Sequence, residues 1–223
     1  MYPVKTIKPF WSREDLNTID PLPGFMIITI SGTTGSGKST IAKLLASRLG
    51  LKHHSIGDLS RIIAEKKGMT IEEFNAWGIT HPERDKMVDE YQVTLGRSED
   101  DFIIDGRLSF HFIPQSIKIY IDADPIVRAR RRLQDPRKTE QYASLEEAIG
   151  KIKTRDEMDR KRYVERYHLD PFDSSFYDIV IDSSKTLPEK IIDMIVAFLH
   201  KSKIPCEDTH IIKIINPKCL MRI

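Results

Sequence analysis

The run Gly32-Thr33-Thr34-Gly35-Ser36-Gly37-Lys38-Ser39-Thr40 constrains this chain more than any other stretch. It fits G-x-x-x-x-G-K-[ST], the pattern of a phosphate-binding loop. The residues before it, Phe25-Met26-Ile27-Ile28-Thr29-Ile30, form a short apolar run that predicts a buried parallel strand. Those after it, Ile41 to Leu49, place apolar side chains at helical spacing and stop at Gly50. Strand, glycine-rich turn and helix thus come in the order such a loop needs. The glycines let the backbone curl until successive N–H groups converge on an anion, and the helix N-terminus adds its dipole. In this pattern Lys38 reaches the β- and γ-phosphates and the Ser39 hydroxyl ligates Mg²⁺. The expectation is a nucleoside triphosphate such as ATP, with Mg²⁺, held by Gly32 to Thr40.

A chain of 223 residues is long enough to bury a full core, and the expected organisation is one domain with appendages. Residues 25–202 carry the domain. Residues 1–24, with Pro3, Pro9, Pro21 and Pro23, read as an N-terminal extension, and residues 203–223 as a C-terminal one. Lys and Arg number 35 against 33 Asp and Glu, a balance that argues against a dedicated nucleic-acid binder. The two cysteines, Cys206 and Cys219, both fall in the C-terminal extension, so no disulfide framework is expected and a reducing cytoplasm is the expected location. The first residues lack the layout of a signal peptide, and no apolar run approaches the roughly twenty residues a membrane span needs.

Further strands are predicted at 51–56, 101–105, 117–122 and 178–182, with helical patterns between them. The 57–97 interval is wholly helical. It contains Thr70-Ile71-Glu72-Glu73, which has the form of a capping box, then a helix ended by Trp77-Gly78, and Pro82 placed to begin another that runs to about Leu95. The alternation predicts a five-stranded parallel sheet with helices on both faces. Ligands of such sheets bind beyond the carboxyl ends of the strands, which gathers the loop, Ser55–Gly57, Asp105–Arg107 and Asp122–Asp124 along one edge. His53 and His54 point to opposite faces of their strand, cannot hold a metal jointly, and read as ordinary strand residues. In the C-terminal tail His210 to Ile215 is a candidate for an added edge strand.

Arginines crowd the segments expected at the mouth: Arg61, Arg107, Arg128, Arg131, Arg132, Arg155 and Arg162. Phosphoryl transfer gathers charge on several oxygens, and guanidinium forks suit them. No Asn/Thr-Lys-x-Asp follows the fourth strand, which argues against guanine recognition. Residues 155, 159 and 162 share one helix face. The plain alternative is a solvated lattice of ion pairs along a surface helix.

These stretches resemble the cytidylate kinases, particularly the short archaeal-type form, over roughly residues 26–200. The likeness rests on Ile27 to Gly32, Ser55-Ile56-Gly57-Asp58 with Arg61, and Asp105-Gly106-Arg107-Leu108-Ser109. It rests most on Arg155-Asp156-x-x-Asp159-Arg160-x-Arg162 and Tyr177 to Asp182. The resemblance implies a P-loop nucleoside monophosphate kinase with an acceptor-binding region at about 57–97 and an arginine-rich lid at about 134–144. It implies Lys38, Arg128, Arg132 and Arg162 as catalytic residues. Ser55, Arg61, Arg107, Arg155, Asp159 and Arg162 would bind the acceptor, and Ser39 with Asp105 would hold the Mg²⁺ shell. A plain strand-end role for Asp105 is the alternative. Where short-type relatives continue Gly-Arg-Leu-Ser with Gly-Trp, this chain has Phe110-His111, and His111 is assigned a pocket or surface role. The expected reaction is ATP-dependent phosphorylation of CMP or dCMP by a monomer with no nucleic acid or membrane partner. The rivals are a kinase of another small acceptor (AMP, a nucleoside or a metabolite) and a partner-dependent P-loop regulatory protein.

Overall fold

The computed structural model describes residues 26–134, 142–200 and 211–215. In chain order the elements are β1 (Ile27–Gly32), α1 (Lys38–Leu49), β2 (Lys52–Ser55), α2 (Ile56–Lys66), α3 (Ile71–Thr80), α4 (Glu83–Ser98), β3 (Phe102–Asp105), α5 (Ser109–Phe112), β4 (Ile117–Asp122), α6 (Pro125–Leu133), α7 (Leu145–Tyr167), β5 (Ile179–Asp182), α8 (Pro188–Leu199) and β6 (Ile212–Ile214). The sheet order is β2-β3-β1-β4-β5-β6. The first five strands pair in parallel and β6 runs antiparallel to β5, with Ile179 opposite Ile214. Five parallel strands were expected; the sheet has a sixth, formed by the stretch singled out as a candidate edge strand. Its pairing covers backbone groups that the edge of β5 would otherwise leave open.

β1 lies at the centre because it can be buried on both faces: Ile27 to Gly32 are all buried. One face, with Ile28, Ile30, Ile103, Ile119 and Ile179, packs on α1 and α8. The other carries Phe102, Ile104 and Ile113 against Leu95 of α4. The chain leaves β1 toward β2 on one side, while β4 lies on the other, so the turn after β1 opens at a switch point of strand order.

Local chemistry sets the helix starts. The Thr70–Glu73 capping box is formed in both directions, Asp124 caps α6 ahead of Pro125, and Ser144 caps α7. Two expected ends fall short of the observed ones. α3 continues past Trp77-Gly78 to Thr80 because Gly78 is a packing position, not a stop: a Cβ there would lie 2.8 Å from Arg84 Cδ. α4 runs to Ser98. The four-residue α5 was not anticipated; it is too short to show a period. Residues 1–24, most of the expected lid (135–141), and both cysteines lie outside the described residues. No helix among the described residues is long and apolar enough to cross a membrane.

Gly32 fixes how β1 turns into the loop. Its φ is +147°, and a Cβ would meet the Ile121 carbonyl oxygen at 2.0 Å. Gly32→Ala is expected to cost about 3 kcal/mol or more in urea unfolding, from strain plus overlap with a strand that cannot move away. Gly50→Ala, also at positive φ but with nothing within 4 Å, should cost only about 1–2 kcal/mol. Equal losses at the two sites would contradict this account.

Candidate active site

A cavity of 1440 Å³ opens at the carboxyl edge of the sheet, lined by the loop, α2 to α4, the β3–α5 turn, Arg132 and one face of α7. Its floor is the phosphate loop. The loop is braced from beneath: Thr33 Oγ1 donates to Asp122 Oδ1 at 2.8 Å, and Ser36 Oγ to the Thr33 carbonyl at 2.9 Å. Gly32, Thr33 and Ser36 therefore shape the loop from behind, while Thr34, Gly35, Gly37, Lys38, Ser39 and Thr40 face the cavity.

Lys38 is half-buried as a residue, but its ammonium sits deep among protein atoms. Desolvation, reinforced by the nearby charges of Arg107 and Arg155, lowers its pKa to about 7, against the partial relief of Asp105 and Asp156. The site thus disfavours the charged form of its own lysine.

Asp105 ends β3 opposite Ser55 and Ile30. Its Oδ2 accepts from Ser39 Oγ at 2.7 Å and lies 3.5 Å from Ser55 Oγ. Its Oδ1 lies 2.7 Å from His53 Nε2. Burial pushes the carboxyl up, but the hydrogen bonds of His53 and Ser39 and the charge of Lys38 outweigh it and hold the pKa below the usual value. His53 was read as an ordinary strand residue. Its side chain shares a face with Ser55 and reaches two residues along the neighbouring strand, a contact that depends on strand order and left no trace in the sequence. Ser55 also caps α2.

Arg107, directly after the β3 turn, is heavily engaged. It donates to Thr34 Oγ1 at 2.5 Å and Asp156 Oδ1 at 2.7 Å, and its Nε lies 3.0 Å from Asp159 Oδ2. Asp156 closes the network: it accepts from the Thr34 N–H and hydroxyl and from Arg128 Nη1 at 2.6 Å. Burial would raise this carboxyl, but Arg107, Thr34 and Arg128 hold it low. Asp156 was quoted as part of a motif without a role. The i, i+3 spacing of Asp156 and Asp159 was the available signal.

Three of the four arginines of α6, Arg128, Arg131 and Arg132, separate. Arg132 is buried and lines the cavity. Arg128 sits at the loop's shoulder, on Asp156 and the Thr34 carbonyl. Arg131 grips the back of the loop through the carbonyls of Ser36 and Ser183. Arg61, which donates to Asp58 at 2.6 Å, and Arg155 also line the cavity. Arg162 pairs with Asp159 at 2.9 Å.

α7 carries both arrangements. Lys151–Glu147, Lys153–Glu157 and Lys161–Glu165 form solvated pairs at i, i+4, the first and third of them at the cavity's edge. Arg107's partners Asp156 and Asp159, with Arg162, are only 12–15% exposed. The lattice and the cavity wall coexist on one helix. His111 is exposed, edge-on to Tyr167.

Sheet order, phosphate loop and arginine-lined cavity define the class: a phosphate-loop kinase. A solved shikimate kinase from Bacteroides thetaiotaomicron shares the fold, with a TM-score of 0.55 over 79% of this chain and 99% of its own at 12% identity. The cytidylate kinase-like family matches residues 27–185, and the chain belongs to it. Similar relatives are the cytidylate kinases of Archaeoglobus fulgidus, 36% identical over 180 residues (80% of this chain, 97% of the relative), and Pyrococcus horikoshii, 38% identical over 173 residues (77% and 87%). The chain is an enzyme, a nucleoside monophosphate kinase.

The lysine leads to a linkage prediction. The unfolded chain keeps Lys38 protonated up to its ordinary 10.5, whereas the folded chain releases that proton near 7. Between these values the unfolded state holds more protons, so stability rises with pH, and below about 7 the full cost of the buried charge is present. Without nucleotide, Lys38→Met should melt higher than wild type near neutral pH, with the gap closing as pH rises. Thermal melts of both proteins across that window test this; a gap that does not change with pH contradicts it.

Proposed function

We propose that the enzyme transfers the γ-phosphoryl group of ATP to CMP or dCMP. An oxygen of the acceptor phosphate bonds to the γ-phosphorus as its bond to the β–γ bridging oxygen breaks, giving ADP and CDP or dCDP. The observation that carries this reading is the continuity of the cavity from the phosphate loop to Arg107, Arg155, Asp159 and Arg162. Pockets for one small ligand run roughly 300–1,000 Å³, so this one has room for donor and acceptor together.

On the donor side the loop N–H groups of Gly35 to Thr40 and the α1 N-terminus cradle the triphosphate. An arriving anion favours the charged form of Lys38, so the lysine regains its proton as its partner binds. Arg132, the α6 arginine that lines the cavity, is assigned to the transferred phosphate. Arg128, tied to Asp156, is assigned to keeping that end of the site in register. On the acceptor side Arg61 and Arg107 hold the phosphate, Ser55 and Arg155 flank it, and Asp159 faces the sugar. Arg162 neutralises charge that builds during transfer.

The Ser39 hydroxyl and Asp105 carboxylate stand side by side, an oxygen pair suited to Mg²⁺, which takes few protein ligands and completes its shell with phosphate and water. Bound there, Mg²⁺ would neutralise charge on the β- and γ-oxygens. His53 would hold the free carboxylate oxygen in place.

ADP release measured with CMP, dCMP, UMP, AMP and a nucleoside in turn tests the acceptor class; turnover only with AMP or with a non-nucleotide overturns it. Asp159→Ala should lower kcat/KM for CMP by about tenfold to a hundredfold, the worth of a charged hydrogen bond of about 1.5–3 kcal/mol, with the KM for ATP nearly intact. Equal losses for both substrates contradict the acceptor role.

A further inference from the structure

Ser183, the first residue after β5, was not singled out by the sequence. It is 2% exposed and stands behind the phosphate loop; neither it nor Arg131 lines the cavity. Its Oγ lies 2.7 Å from the Ser36 carbonyl oxygen and 2.9 Å from that of Asp122. A hydroxyl has one proton to give. The Asp122 carbonyl already accepts from the Ser183 N–H at 2.9 Å, so the hydroxyl proton goes to Ser36, the shorter contact. Arg131 completes the arrangement from α6. Its Nη1 donates to the Ser36 carbonyl at 3.1 Å and to Ser183 Oγ at 2.9 Å, and its Nη2 donates to the Ser183 carbonyl at 2.7 Å. One loop carbonyl thus takes both a hydroxyl and a guanidinium, brought from two other elements.

What this carbonyl controls lies on the other side of its peptide. The Ser36 C=O and the Gly37 N–H belong to one planar trans unit, so they point in opposite directions. With the oxygen held to the rear, the N–H faces the cavity that Gly37 lines. The peptide needs holding. Gly35 and Gly37, on either side of Ser36, have φ of +82° and +88°, and a glycine backbone turns easily between such conformations and others. Arg131 adds charge to orientation. A cation on a peptide oxygen draws electron density from the nitrogen, and hydrogen bonds in series strengthen one another. The Gly37 N–H is thereby made a better donor to an anion than an ordinary amide.

We propose that Arg131 and Ser183 are positioning residues for the donor phosphates, acting through the Ser36–Gly37 peptide: they aim the Gly37 N–H at the phosphates and polarise it. This rests on the reading of the loop as the seat of the ATP phosphates. It also divides the arginines of α6 by mode of action. Arg132 stands in the cavity wall, where it can meet phosphate oxygens directly. Arg131 delivers its charge from behind, through one peptide. The cavity side already sets Arg107 and Arg155 against Lys38, and a cation at the rear adds to the pull on phosphate without crowding them further.

The test is calorimetric binding of ADP and of CMP to wild type, Arg131→Met and Ser183→Ala, with the Gly37 amide proton followed by NMR in isotope-labelled protein. A strong hydrogen bond to phosphate moves an amide proton downfield. Arg131→Met is expected to raise the Kd for ADP about tenfold, with the Kd for CMP within about twofold of wild type, and to shrink the displacement that ADP gives the Gly37 proton. Ser183→Ala should do the same more weakly, raising the Kd for ADP about threefold. If the two residues only fasten α6 to the end of β5, melting temperatures fall while ADP affinity and the Gly37 displacement stay at their wild-type values, and that overturns the inference. A loss that falls equally on ADP and CMP overturns it too. Should Arg131→Met not fold, Ser183→Ala carries both readouts, and an unchanged Gly37 displacement is again decisive against the inference. A wild type that does not bind ADP would retire the donor reading and this inference with it. A wild type that binds ADP with its Gly37 proton unmoved would leave the donor reading standing and overturn the positioning role alone.

Discussion

The carboxylate of Asp156 is the contact on which the arrangement of the site depends. It joins the phosphate loop at Thr34, the β3 turn at Arg107 and helix α6 at Arg128, adding to the bonds both arginines make to Thr34 directly. Buried ions of this kind cost desolvation and repay it only when every partner is in place; breaking one such pair typically costs about 3–5 kcal/mol. Asp156 can serve here because the loop's N–H groups are built to face an anion. One of them, the Thr34 N–H, donates to this carboxylate of α7. The same oxygens neutralise Arg107, so two clusters of positive charge, loop and arginine wall, are drawn together instead of repelling.

That balance explains the state of Lys38. Burial disfavours its charge first, and the repulsion of Arg107 and Arg155 adds to that. A protein selected for stability alone would not bury a lysine against two arginines. A site that must gather negative charge gains from doing so, because the positive field that disfavours the lysine's charge is the attraction a polyphosphate meets. Asp105 shows the opposite adjustment: it is buried, but enough donors surround it to keep it ionised.

The outer end of the cavity follows the same logic with different partners. Asp85 binds Arg84 and Arg166, while Asp89, one turn on, accepts from the Tyr167 hydroxyl at 2.5 Å. Burial, with the nearby Asp85 charge adding to it, raises the Asp89 pKa to about 6 despite that bond. α4 is thus attached to α7 by acids on one helix and by arginine and tyrosine on the other.

The sequence by itself determined the loop, the parallel sheet around it, the capped helix starts and the arginine-rich face at residues 155, 159 and 162. All of these rest on local rules: a glycine spacing, an apolar period, a cap three residues from its partner. The family likeness carried by the same motifs assigned Asp105 and Arg107. What the sequence left open was every contact made across elements. His53 reaches Asp105 because β2 and β3 are neighbours, Asp156 meets Thr34 because α7 crosses the loop, and Arg84 lies on Gly78 because α3 and α4 fold back on each other. The division among Arg128, Arg131 and Arg132 was undecided for the same reason: a helix sets which side each residue occupies, but only the packing of α6 against the loop and α7 decides what each side meets. Local pattern follows from backbone geometry within a few residues. Ion-pair partners follow from which charged groups must share a buried space, and that is settled only when the chain has closed around it.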